Sequence, residues 1–80
     1  MPPTLSQTVA REIRAEMGRQ KVSGAYLAKA LGVSAAWVSY RINGHQEIGL
    51  TELQRIAAVL NVHVRALIPS EATVATAAAA

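Results

Sequence analysis

The stretch from Ser23 to Gly44, which reads SGAYLAKALGVSAAWVSYRING, decides the fold of this 80-residue chain. Before its central glycine, apolar residues recur at helical spacing, namely Leu27, Ala28 and Leu31. Gly32 then allows the chain to reverse sharply, and Ser34 is suited to cap a new helix at once. Val38 and Ile42, one turn apart, predict the inward side of that second helix. Two helices joined by so tight a turn predict a helix-turn-helix, whose second helix can enter the major groove of B-DNA.

Helical patterns flank this stretch on both sides. Thr4 and Gln7 match a capping box, and a stripe of apolar residues after them predicts a first helix over residues 5–19. A fourth helix is predicted from its apolar positions, which are Leu50, Leu53, Ile56, Ala57 and Leu60. Asn61 is expected to end that helix, and a short fifth helix or turn follows before Pro69.

No segment alternates as a strand does, so the fold class predicted is all-α. We expect a compact domain of five helices over residues 4–69, followed by a short alanine-rich tail over residues 70–80. On the surface of the fourth helix, Glu52 is expected to attract Arg55, three residues further on.

Composition limits the chemistry that this chain can support. Its 80 residues allow one small domain, and 16 of them are alanine, so the core is lean. Without cysteine there can be no disulfide, thiol catalysis or cysteine-based zinc site. His45 and His63 have no metal-ligand spacing, and no paired carboxylates or phosphate loop is present. We therefore predict no enzyme, catalytic residue, metal or cofactor, and a soluble cytoplasmic protein without a membrane partner.

The net charge of +3 is unevenly distributed along the chain. Residues 11–41 carry +4, whereas residues 42–80 carry −1. A basic first half on a small domain favours a polyanionic partner, with nucleic acid as the leading candidate.

The segment LAKALGVSAAWVS resembles the LA-x-x-LGVS-x-x-x-VS signature of the lambda-repressor-like family, which includes phage repressors, Cro proteins and Xre-type regulators. The Asn43-Gly44 pair and the run from Leu53 to Val62 also match that family. The resemblance implies a sequence-specific, double-stranded DNA-binding transcriptional regulator, a phage-type repressor or Cro-like protein, acting as a homodimer on an operator. Its helix over residues 35–42 would be inserted in the major groove.

The resemblance, together with the basic residues beside the motif, implies a set of contacts to DNA. Base contacts are expected from Ala35, Ala36, Ser39, Tyr40 and Gln46. Phosphate contacts are expected from Arg19, Lys21, Ser23, Gly24, Ser34, Arg41, Asn43 and His45.

Several positions depart from the family pattern. Gly24 stands where many members have glutamine, and it offers only its backbone. Ala35 and Ala36 cannot form the paired hydrogen bonds to adenine that an amide side chain would form, although they can contact thymine methyl groups. Base reading would then depend on Ser39 and Tyr40, with Arg41 and Gln46 as further candidates, which suggests modest base discrimination or reliance on DNA shape.

Two residues of the second motif helix, Arg41 and Trp37, each allow two interpretations. Arg41 either reaches guanine or phosphate, or lies along the domain with its head group in solvent. Trp37 either wedges against the DNA backbone or supplies core bulk, and we favour packing. Tyr40 is expected to face outward, and Ile42 replaces a glutamate common in the bacterial branch of the family.

Two other functions remain open from the sequence. The chain is alternatively an antitoxin of a toxin–antitoxin pair, or a helical adaptor that binds protein through the same face. Its alanine-ended C-terminus is similar to tags that bacterial proteases recognise. Residues 71–80 are alternatively part of a dimer interface or simply a flexible end.

Overall fold

The structure, a computed structural model, describes residues 2–69 and is all-α in that range, as predicted. Its elements are α1 (Leu5–Gln20), α2 (Gly24–Leu31), α3 (Ala35–Ile42), α4 (Leu50–Leu60) and a 3-10 turn (Val64–Leu67). The predictions made for the tail over residues 70–80 lie outside the described residues.

The fifth element, predicted as a short helix or turn, is a single 3-10 turn of four residues, so the described residues hold four α-helices and not five. Asn61 leaves α4 in the left-handed conformation, and Ile68 is extended, with φ −108° and ψ 115°. A residue before proline is disfavoured in the helical region, so Pro69 stops any extension of the turn. Too few residues remain between these two limits for an α-helix.

Side-chain caps start the first three helices as the sequence predicts. Thr4 and Gln7 form a reciprocal capping box, in which each backbone N–H donates to the other's side-chain oxygen, at 2.9 and 3.1 Å. Ser23 and Ser34 cap α2 and α3, and each hydroxyl oxygen accepts a backbone N–H at 3.0 Å. The fourth helix starts differently, because the Gly49 N–H donates to Glu52 Oε1 at 3.0 Å.

The helices α1, α2 and α4 end with one shared arrangement. Each is followed by a left-handed residue, namely Lys21, Gly32 and Asn61. A valine comes next, and its N–H donates to the carbonyl five residues earlier, at 2.9 to 3.0 Å; these are Val22, Val33 and Val62. All three valines are half-buried and pack against the core, so each turn is held both by its backbone and by its side chain.

The end of α3 keeps the hydrogen bond but changes the side chain. Asn43 is not left-handed, since its φ is −100°, and Gly44 takes that conformation with φ 80°. The His45 N–H then donates to the Tyr40 carbonyl at 2.8 Å. His45 is exposed, so this one turn presents a polar residue to solvent instead of an apolar residue to the core.

All four helices and the 3-10 turn contribute to one core. Its largest fully buried side chains are Ile13, Leu27, Val38, Ile56, Leu60 and Leu67. The prediction that Leu50 lies on the apolar face of α4 is wrong, because Leu50 is 81% exposed. It is the first residue of α4 and projects beyond the edge of the core, whereas Leu53, one turn later, is buried.

Three long side chains tie the helices to each other at their C-terminal ends. Each donates to the carbonyl of the last residue of another helix: Arg14 to Ile42, Arg55 to Leu31, and Gln20 to Leu60. Arg55 still attracts Glu52, as expected, and helps to lower the pKa of Glu52. The direct partners differ, because Arg55 Nη2 donates to the Leu31 carbonyl at 2.6 Å and Glu52 pairs with Arg41. A carbonyl at the end of a helix lacks a partner within that helix and carries the negative end of its dipole, so it attracts a cation.

Candidate nucleic-acid interface

Helix α3 has two distinct sides. Val38 is buried, and the residues beside it, Trp37, Arg41 and Ile42, are half-buried. The opposite side is exposed along its whole length, and it consists of Ala35, Ala36, Ser39 and Tyr40. Tyr40 is 58% exposed, as its spacing from Val38 predicts. We call these four residues the outer face of α3; it carries no charge.

Polar groups continue from the outer face into the loop after α3. Asn43 Nδ2 donates to the Ser39 carbonyl at 2.9 Å and to Ser39 Oγ at 3.3 Å, so these two predicted DNA contacts are linked to each other. The backbone N–H groups of His45 and Gln46 both donate to the Tyr40 carbonyl, at 2.8 and 3.1 Å. Both of these side chains are exposed, so the loop places them next to the outer face.

The start of α2 contributes the next part of the site. Ser23 is exposed and caps the helix, while Gly24 is half-buried. A Cβ atom on Gly24 would lie 3.9 Å from Val38 Cγ1, which is ordinary van der Waals contact. Packing therefore does not require glycine here, and the position leaves only backbone available to a ligand. Ser34 caps α3 in the same way and is also exposed.

Two of the predicted phosphate contacts flank the motif at the end of α1. Lys21 is exposed. Arg19 is exposed too, but its guanidinium donates to Glu16 Oε1 at 2.9 Å. Hydrogen bonds from Gln20 and Arg19 lower the pKa of Glu16, so the carboxylate is firmly ionised.

Arg41 points inward rather than to the outer face. Its Nε donates to Glu52 Oε1 at 3.1 Å, and its guanidinium carbon lies 3.9 Å from the centroid of the Trp37 ring. Its side chain is only 16% exposed. Trp37 packs against the core, which agrees with the packing interpretation. As a phosphate contact, Arg41 stays a prediction, and this arrangement would have to open first.

Glu52 is the residue of this region that the sequence did not single out. It lies eleven residues beyond Arg41, in the first turn of α4, and nothing local links the two. The Gly49 N–H and then the Arg41 guanidinium lower the pKa of Glu52. Spacing along the chain points to the nearer Arg55, so only the folded position of the start of α4 beside Arg41 identifies the ion-pair partner.

We also searched the described residues for a metal site and for a membrane-spanning helix. Within residues 2–69, no group of three histidine, aspartate or glutamate side chains is close enough to hold a metal ion. No helix in the same range is long and apolar enough to span a bilayer.

A tight turn, a capped second helix and its uncovered outer face define a helix-turn-helix domain. The model of the helix-turn-helix family HTH_3 matches residues 11–67, and the chain belongs to this family. No protein of the curated set is similar enough in sequence to match it.

Solved structures with the same fold are of two kinds: regulators that match over most of their length, and a longer protein that matches over about a third. The clp gene regulator ClgR from C. glutamicum superposes with a TM-score of 0.79 at 23% identity, over 82% of this chain and 86% of that one. SinR, a master regulator for biofilm formation solved in complex with DNA, has a TM-score of 0.66 at 25% identity, over 74% and 95%. Iron(II) HppE is 36% identical with a TM-score of 0.74, and the match covers 82% of this chain but 35% of HppE.

Proposed function

We propose that this domain binds double-stranded DNA and regulates transcription, with α3 inserted in the major groove. The observation that carries this proposal is the outer face of α3, which is exposed and uncharged, on a helix that directly follows a tight turn. A helix with one exposed side of small and polar residues fits a groove about 12 Å wide. Membership of the helix-turn-helix family and the similarity to SinR, which was solved with DNA, support the same function.

The outer face of α3 and the loop after it would contact the bases in two ways, through hydrogen bonds and through apolar contact. Tyr40 and Ser39 carry hydroxyl groups that can donate to or accept from base edges, and Gln46 adds an amide from the loop. Ala35 and Ala36 can give only apolar contact, with thymine methyl groups as the matching partner. Base recognition of this kind is weaker than that of paired amide contacts, so DNA shape contributes to the choice of site.

Phosphate contacts would hold the domain in register on the duplex. Ser23 and Gly24 lie at the start of α2 and Ser34 at the start of α3, and helix starts attract anions. Beside them, Asn43, His45, Arg19 and Lys21 supply donors and positive charge. In this proposal, the protein acts in the cytoplasm as a phage-type repressor or Cro-like homodimer on a palindromic operator, with one copy on each half-site.

Selection of binding sites from a pool of random duplexes tests the function directly. We expect an enriched motif with two half-sites, in which thymine is favoured opposite Ala35 and Ala36 and some positions are loosely defined. A pool that shows no enrichment and no retention at low salt would rule out the proposal. A sharply defined base at every half-site position would instead contradict the modest discrimination that we infer.

A matched pair of tyrosines tests the role of α3. Tyr26 on α2 and Tyr40 on α3 are both 58% exposed, so removing either one changes exposed surface similarly. We expect Tyr40→Ala to lower the preference for the selected site over random DNA by roughly fivefold, the low end of what a paired base contact is worth. Tyr26→Ala should leave that preference unchanged in the same competition assay. Equal losses in both variants would mean that α3 does not read the bases.

A second candidate function is a protein-binding adaptor. HppE, at 36% identity, is more similar in sequence to this chain than ClgR or SinR, and the match spans only about a third of HppE. A helix-turn-helix fold therefore also occurs as a segment of a larger iron protein, and the two alanines of the outer face suit apolar contact with protein. Absence of duplex binding at low salt, with the fold intact, would favour this function over the first.

A further inference from the structure

We propose that Glu52 withholds Arg41 from DNA and so limits the sequence-independent part of DNA binding. This inference rests on the proposed function, because it concerns the same surface. Arg41 is the only cation of α3, and it lies one residue beyond Tyr40. If it were free, it would add positive charge beside a face that has none.

Three contacts hold the guanidinium of Arg41. Glu52 Oε1 accepts from Arg41 Nε at 3.1 Å, and the Trp37 ring lies beneath the guanidinium at 3.9 Å. A third, longer contact runs from Nη1 to the Trp37 carbonyl at 3.4 Å. The three contacts leave the side chain of Arg41 16% exposed and that of Glu52 31% exposed. We call Trp37, Arg41 and Glu52 the arginine clamp.

Glu52 is fixed independently of Arg41. The same Oε1 atom accepts the Gly49 N–H at 3.0 Å, which starts α4. The carboxylate is therefore already in place when Arg41 meets it, and little side-chain freedom is lost in forming the pair. An anion anchored by the backbone in this way is a positioning residue for the cation of the neighbouring helix.

The consequence for DNA binding follows from how cations act on a polyanion. Each cation that neutralises a phosphate adds about 0.9 to the slope of log affinity against log salt, whatever the sequence. A cation held by a carboxylate and an aromatic ring adds little to this salt-dependent affinity, while the neutral outer face can still contact the bases. The arginine clamp therefore removes one sequence-independent contact, so that a larger share of the binding free energy at the operator comes from the outer face of α3.

The test measures affinity for a random-sequence duplex between 50 and 200 mM salt in four proteins: wild type, Arg41→Gln, Glu52→Gln and the double variant. Glutamine can still accept the Gly49 N–H, so Glu52→Gln removes the charge but keeps the cap. We expect Arg41→Gln to match wild type within about twofold. Glu52→Gln should bind more tightly, with a slope steeper by about 0.9, which adds roughly a threefold loss of affinity over that salt range.

The single variant Arg41→Gln separates release of Arg41 from a simple change of net charge, and the double variant shows whether the gain depends on Arg41. If Arg41 carries the effect, the gain of Glu52→Gln disappears when Arg41 is also replaced, and Arg41→Gln alone does nothing. If net charge alone matters, the two single variants change the affinity by equal factors in opposite directions, which would overturn the proposal. A loss of affinity and slope in Arg41→Gln would also overturn it, because Arg41 would then contact phosphate in the wild type.

A readout without DNA keeps this proposal distinct from the proposed function. Trp37 is the single tryptophan, so tryptophan fluorescence reports on its surroundings, which include the guanidinium of Arg41. We expect acrylamide to quench Trp37 more strongly in Glu52→Gln, and more strongly still in Glu52→Ala, because the guanidinium no longer covers the ring. Unchanged quenching would overturn the clamp even where the wild type binds DNA. Failure of the wild type to bind any duplex would instead overturn the function, and the withholding role with it.

Discussion

Two glycines show how one backbone angle decides the effect of a single methyl group. A Cβ atom built on Gly18 or on Gly32 would meet nothing within 4 Å. The two positions differ only in their backbone, since Gly18 lies inside α1 and Gly32 has φ +71°. A left-handed residue other than glycine costs about 1–2 kcal/mol, whereas glycine inside a helix costs roughly 0.5–1 kcal/mol relative to alanine.

Opposite results are therefore expected from the same substitution. Gly32→Ala should lower the free energy of unfolding by about 1–2 kcal/mol, and Gly18→Ala should raise it by roughly 0.5–1 kcal/mol. Urea unfolding followed by circular dichroism measures both. A loss at both sites would mean that space, and not backbone conformation, limits these positions.

At the scale of the helix, α4 offers a matched pair of leucines. Leu50 and Leu53 lie one turn apart, yet the first is 81% exposed and the second 4%. Leu53→Ala should cost about 2–5 kcal/mol of unfolding free energy, because it leaves a cavity in the core. Leu50→Ala should stay within about 0.5 kcal/mol of wild type, as surface substitutions usually do. Equal costs, measured by thermal and urea unfolding, would place Leu50 in the core after all.

The starts and ends of helices were the most predictable elements. The capping box at Thr4, the caps at Ser23 and Ser34, and the turn at Gly32 all lie within five residues of the groups that they bond. Local sequence therefore contains everything needed to predict them. The exception is the end of α1. Lys21 is left-handed, although lysine does not favour that conformation, and α1 runs to Gln20 instead of ending after residue 19.

Contacts between helices could not be read from the sequence. Arg14 bonds a carbonyl 28 residues away, Arg55 one 24 residues away, and Glu52 meets an arginine eleven residues before it. Each depends on how two helices cross, which spacing along the chain does not define. For the same reason, the outward direction of Tyr40 was predictable from α3 alone, whereas the inward direction of Arg41 required α4.

Acidification acts on the whole molecule through two glutamates. Hydrogen bonds lower the pKa of both Glu16 and Glu52 from the ordinary value of 4.5. A carboxylate whose pKa is lower in the folded state stabilises that state above its unfolded pKa, and this contribution disappears as the pH falls through the folded pKa. Stability should therefore decline as the pH falls below 4.5.

Substitution of single glutamates tests which carboxylate causes the loss of stability at low pH. In Glu52→Gln, the difference in unfolding free energy between pH 6 and pH 3 should be smaller than in wild type, by at most about 1 kcal/mol for so shallow an ion pair. Glu47→Gln is the control, because Glu47 is exposed and forms no ion pair within residues 2–69. An identical pH dependence in Glu52→Gln and wild type would show that Arg41 and Gly49 do not favour the ionised form.

The shared endings of α1, α2 and α4 also bear on how the molecule opens. At each of them, the residue that closes the turn is a half-buried valine that packs against the core. A helix end of this kind cannot fray alone, since unwinding its last turn draws an apolar side chain into water. Opening of these ends is thereby coupled to loosening of the core as one cooperative unit. The end of α3 is free of that coupling, because its closing residue is the exposed His45. Local motion is therefore easiest where the second helix of the motif meets its loop.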